Sequence, residues 1–141
     1  MSSTYIRQST VVPAPAGSVW DAISKLDFKF WSLVQKSEVA NESFLSPIVT
    51  LTFKDGTVQK LRVLAFSSVD RSLTYEVFES NPAVGYTSAQ HTLTVAEVTD
   101  SKEAFVSFDA TFSSDASAEV IQDAKFKRAD ALAELKKSFS K

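Results

Sequence analysis

Residues 104–139 read AFVSFDATFSSDASAEVIQDAKFKRADALAELKKSF, and two different periods meet in them. Ala104, Val106, Phe108, Ala110 and Phe112 alternate with Ser107, Asp109 and Thr111, the period-two pattern of a strand with one buried face; only Phe105 breaks it. From about Ala116 to Phe139 the chain is rich in Ala, Glu, Lys and Leu, all strong helix formers. Ser114 or Asp115 is placed to cap this helix. At roughly 100° per residue, Ile121, Ala124, Leu132, Leu135 and Phe139 share one face, and Glu119, Asp123, Lys127, Asp130, Glu134 and Lys137 lie opposite. Such a helix runs ~35 Å, long enough to lie across a sheet.

Upstream of this stretch the chain is mostly strand. Tyr5 to Val12 has the β-branched content and alternation of a strand, and Pro13 and Pro15 end it. Val19, Trp20 and Ile23 then sit at helical spacing behind a Pro-Ala-Gly-Ser start signal. Asp27 is placed to cap a second short helix over Phe28 to Val34, with Phe28, Trp31 and Val34 as its apolar stripe. Strand patterns follow at Ser37–Glu42 (weakly), Ile48–Phe53, Val58–Val69, Leu73–Glu79, Tyr86–Val98 and Ala104–Ser113. Asp55-Gly56 and Asp70-Arg71-Ser72 are turn signals, and Asn81-Pro82-Ala83 with Gly85 reads as a longer irregular loop. Strands in hairpin succession make an antiparallel sheet. With the helices segregated from it, the expected class is α+β in two layers, one domain over residues 1–141.

Composition narrows the function. The 141 residues carry 15 Lys and Arg against 17 Asp and Glu, a net charge of −2, so no positive field is available to collect nucleic acid. The chain has no Cys and one His, which excludes a thiolate site, a disulfide scaffold and a multi-His metal centre. Gly17, Gly56 and Gly85 stand too far apart for a phosphate-cradling loop, so no nucleotide cofactor is expected, nor any other. No stretch approaches the ~18 apolar residues of a membrane span and no targeting signal is legible; a soluble, cytoplasmic protein is expected. Eleven Phe residues in so short a chain surround either a plain core or a cavity.

The order of landmarks resembles one superfamily. Val11-Val12-Pro13-Ala14-Pro15-Ala16-Gly17-Ser18-Val19-Trp20 after the first strand is similar to the opening of START-like, or SRPBCC, proteins. These include polyketide cyclase/dehydrase-like proteins, the birch-pollen-allergen type and plant hormone receptors. Asp27-Phe28 with Trp31, then Arg71-Ser72-Leu73-Thr74-Tyr75, then the last strand and helix continue the likeness over nearly the whole chain. The resemblance implies a helix-grip fold: a seven-stranded antiparallel sheet wrapped around the long C-terminal helix over an apolar cavity, with two short helices after the first strand. It implies binding of a small hydrophobic, polycyclic or lipid-like ligand. The alternative it implies is a cyclase, dehydratase or isomerase without metal or organic cofactor. This chain is short for the family and its second strand is poorly patterned, which points to a small or partly filled cavity.

Within that frame a few side chains could carry chemistry. His91 shares strand parity with Leu93 and Val95 and is either a proton carrier or a half-buried structural imidazole. Arg128 falls in the centre of the helix's apolar stripe, where a charge must find an acceptor or reach water. It would bind a ligand oxygen, pair with an acid on a strand, or lay its stem over apolar surface. Glu79 and Tyr75 share parity with Leu73 and Val77, so Glu79 is either inward at the cavity mouth, as a general base or as the partner of Arg128, or a solvated strand end. His91, Glu79 and Tyr75 are the catalytic candidates. Arg128, Tyr86, Phe108, Phe112, Leu93 and Leu132 are the expected ligand contacts, with plain core packing as the competing reading for the aromatic and aliphatic ones.

Overall fold

The computed structural model describes residues 3–40 and 47–140. Their order is β1 (Thr4–Val12), α1 (Ala16–Ser24), β2 (Val34–Ala40), β3 (Ile48–Phe53), β4 (Val58–Ser67), β5 (Ser72–Asn81), β6 (Ala89–Glu97), β7 (Ala104–Phe112) and α2 (Ala118–Ser138). The strands form one antiparallel sheet in the order β1-β7-β6-β5-β4-β3-β2. This is a helix-grip α+β fold, with the sheet packed against α2.

The hairpins form where turn chemistry allows them. Gly56 takes φ 93°, a left-handed conformation that glycine adopts without a Cβ penalty, and Asp55 Oδ1 accepts from the Thr57 amide at 2.9 Å. Arg71 closes the β4–β5 turn at φ 51°. β2 is an edge strand with no fully buried residue, which is why its sequence lacks alternation. It begins at Val34 rather than Ser37, and Asn41 and Glu42 lie outside the described residues.

The second short helix is not formed. Leu26 and Phe28 have φ of 64° and 53°, which no right-handed helix can include. Asp27 caps a turn instead, accepting from the Lys29 amide at 3.2 Å. The aromatic stripe still reaches the core, because packing outweighs a weak helix propensity. Phe28 meets Tyr75 edge-on at 5.8 Å, and Trp31 meets Phe53 at 5.6 Å. Trp31 Nε1 also donates to Asp130, and Ser32 to Glu134, so two α2 acids expected on the solvated side tie this segment down.

α2 starts at Ala118, and Ser117 is its cap, accepting from the Val120 amide at 3.2 Å. Neither Ser114 nor Asp115 does so. The Asp115 carboxylate is taken by the Thr87 hydroxyl at 2.6 Å and by Ser113. β6 correspondingly begins at Ala89, three residues later than its pattern suggests. The helix serves two apolar clusters. Ala131, Leu132 and Leu135 join α1, β6 and β7 in the main core, and Ile121 and Ala124 join Ile6, Ala110 and Phe112 in a smaller one. Each fully buried leucine contributes about 1.5–3 kcal/mol. Arg128 sits between the two clusters, and there the packing opens.

Candidate functional site

A cavity of about 400 Å³ lies between α2 and β3–β7. Its exposed rim is made by Lys54 and Asp55 of the β3–β4 turn, Pro82 and Ala83 of the β5–β6 connection, and Asp123 and Lys127 of α2. Its buried end is made by Tyr75, His91, Phe108, Phe112 and Arg128.

Strand register builds that end. His91 on β6 lies directly opposite Tyr75 on β5, and the two rings stack at 4.9 Å with 14° between their planes. On its other side His91 faces Ala110. That small residue lies between Phe108 and Phe112 on the same face of β7 and leaves room for a guanidinium. The Arg128 Cζ stands 4.9 Å from the Phe108 ring centre and 5.6 Å from that of Phe112, favourable cation–π distances.

Arg128 is 6% exposed. Its Nη1 donates to the Ala124 carbonyl at 3.2 Å and its Nη2 to Nδ1 of His91. Among the described residues no carboxylate lies within ion-pair distance of it. Asp109 points to the opposite face of the sheet, where Arg7 and Tyr5 hold it. Burial lowers the Arg128 pKa from its ordinary value, but a guanidinium keeps its proton in a protein. Burial, and then the Arg128 charge, push His91 down to about 3. The imidazole is therefore neutral near pH 7. With Nδ1 accepting, its proton is assigned to Nε2, which has no partner among the described residues. Burial also raises the pKa of Tyr75 and Tyr86, so both keep their protons. The buried end thus offers the Nε2–H of His91, two phenol hydroxyls that donate or accept, and one full positive charge, within aromatic walls.

Six of the sequence candidates meet here: Tyr75, Tyr86, His91, Phe108, Phe112 and Arg128 all line the cavity. Three do not. Leu93 and Leu132 are 1% and 3% exposed in the main core; Leu132 lies one turn beyond Arg128, where α2 closes on the sheet. Glu79 faces solvent and pairs with Lys60 at 3.3 Å, its side chain 63% exposed. A bulge causes this. Lys60 pairs with Glu79 but Leu61 pairs with Val77, so Phe78 is an extra residue on β5 and the alternation inverts after Val77. Ser80 takes the inward place beside Gln59, which donates to it at 3.3 Å. Parity with Leu61 could have placed Gln59; no sequence signal marks the bulge. Among the described residues no three His, Asp or Glu side chains stand together as a metal site.

A seven-stranded antiparallel sheet closed by a C-terminal helix over such a cavity is the helix-grip fold that the likeness to START-like, or SRPBCC, proteins implies. The aromatase/cyclase Zhui from Streptomyces sp. R1128 superposes with a TM-score of 0.80 at 13% identity, covering 96% of this chain and 93% of that one. Ara h 8.0201 does so with 0.77 at 15% identity, covering 97% of each. The protein XoxI from Bacillus cereus gives 0.85 at 21% identity over 96% of this chain and 95% of that one. At these identities the likeness is one of fold. No protein-family model matches the chain, and no curated protein matches it. No helix among the described residues is long and apolar enough to cross a membrane.

Proposed function

We propose that this chain binds a small hydrophobic molecule, polycyclic or lipid-like, in the cavity between the sheet and α2. The observation that carries the reading is a cavity of about 400 Å³ with aromatic walls and a few convergent polar groups at its buried end. Its size falls within the ~300–1,000 Å³ of small-molecule sites, far above the voids left by imperfect packing. A neutral solvatochromic dye such as Nile red should bind at one site with a blue-shifted emission. Val77→Trp, which places a ring in the cavity, should abolish that signal while the variant unfolds as cooperatively as the wild type. Dye binding unaffected by Val77→Trp would overturn the reading, and so would no binding at all.

The catalytic alternative, a cyclase, dehydratase or isomerase, has less support in this geometry. Glu79 is outside the cavity, and His91 is too weak a base near neutral pH to gather a proton efficiently. Catalysis in this site would fall to Arg128, polarising a substrate oxygen, and to the Tyr75 hydroxyl.

A further inference from the structure

We propose that the molecule taken into this cavity carries a carboxylate, and that the carboxylate is seated on Arg128. The inference rests on the cavity-binding reading and specifies the chemistry of its ligand.

A guanidinium presents five N–H groups and no acceptor. Here two of them have protein acceptors, the Ala124 carbonyl and His91 Nδ1. The other three have none among the described residues; the Nε–H is fully buried, which leaves the two remaining Nη N–H groups to a ligand. Two phenylalanine faces soften the cost of burying the charge, but they accept none of these protons.

The surroundings point the same way. The groups facing Arg128 are the phenols of Tyr75 and Tyr86, each with a proton to donate, and a neutral imidazole whose accepting nitrogen is already in use. No negative charge lies among them, since Asp109 is held on the far face of the sheet. The complement of this end is therefore a group rich in acceptors that brings one negative charge.

Shape selects among such groups. The space at Arg128 is bounded by the faces of Phe108 and Phe112, and the free N–H groups lie in the plane of the guanidinium. A planar carboxylate matches that fork with two parallel hydrogen bonds. A phosphate dianion would leave one charge unbalanced beside a single cation. The rest of the ligand meets Leu51, Leu61, Val77 and Phe53 together with the Gln59–Ser80 pair, and is mainly apolar. The ligand class is thus an aromatic or aliphatic carboxylic acid.

The test compares 2-naphthoate with its methyl ester by displacement of Nile red from the full chain. The wild type should bind the acid at least tenfold more tightly than the ester. Arg128→Met should lose the preference for the acid and bind acid and ester alike. Arg128→Lys, which keeps the charge without the fork, should retain only part of that preference. Dye binding with the ester as tight as the acid overturns this inference and leaves the cavity reading standing. A preference that survives in Arg128→Met overturns it as well. Failure of the dye and both naphthalenes to bind overturns both. The wild-type comparison decides the matter even if Arg128→Met does not fold.

Discussion

Arg128 of α2 donates through Nη2 to Nδ1 of His91 on β6, joining the helix to the middle of the sheet inside the cavity. A buried cation and a buried base share this contact, so the imidazole must stay uncharged. The contact fixes the orientation of both side chains and leaves the Nε2 side of the imidazole without a protein partner among the described residues.

Acid should therefore destabilise the fold through His91. Its pKa is about 3 in the folded chain and 6.5 in the unfolded one, so between these values the unfolded state holds the extra proton. The associated stability is fully present above pH 6.5 and is lost at about 1.4 kcal/mol per pH unit as pH falls toward 3. His91→Asn keeps an oxygen acceptor for Arg128 and removes the titration. Urea melts from pH 7 to pH 4.5 should fall less steeply with pH for this variant, and equal slopes would refute the assignment.

Arg128→Met should raise stability while it removes ligand discrimination. Replacing a buried charge that lacks a full set of acceptors by an apolar side chain of similar length is commonly neutral to favourable. The expected gain is about 1 kcal/mol, or roughly 2–4 °C in Tm for a chain of this size. A loss of more than 2 kcal/mol in chemical denaturation would mean that the two phenylalanine faces and two hydrogen bonds suffice to satisfy the charge.

Glu79→Gln should change neither ligand binding nor fold. The side chain faces solvent in a surface pair with Lys60, and such pairs contribute little. Dye affinity should stay within twofold and stability within about 0.5 kcal/mol. A clear loss of affinity would show that β5 resumes its earlier alternation in solution.

Ser117→Ala should cost about 1 kcal/mol, because the Val120 amide loses its acceptor at the start of α2. Ser114→Ala, one turn upstream, should cost much less. The two urea midpoints measured side by side identify the cap.

Much of this architecture is legible in the chain. The alternation from Ala104 to Phe112 and the stripe from Ile121 to Leu135 define a half-buried strand and an amphipathic helix, because burial of one face imposes its own period. The same arithmetic places Arg128 inward, and a charge in an apolar stripe is a strong pointer. Asp55-Gly56 marks its hairpin because the turn needs a positive φ. The segment over residues 25–33 was less legible. Its aromatic spacing is equally compatible with a helix and with two left-handed turns, and contacts with Tyr75, Phe53 and α2 settled the choice.

By itself, then, the sequence determined the class of fold, the order of its seven strands with α1 and α2, and the inward placement of His91, Tyr75 and Arg128. All three follow from local periods and turn chemistry. The tertiary structure decided what periods cannot carry. One extra residue at Phe78 turned Glu79 out and Ser80 in, since a bulge shifts side-chain parity without leaving a mark in composition. The register of β5, β6 and β7 put Tyr75, His91 and Ala110 side by side, and the height at which α2 crosses them brought the Arg128 guanidinium to His91 and to the Phe108 and Phe112 rings. Pairing and packing between distant segments created the unfilled space beside that charge.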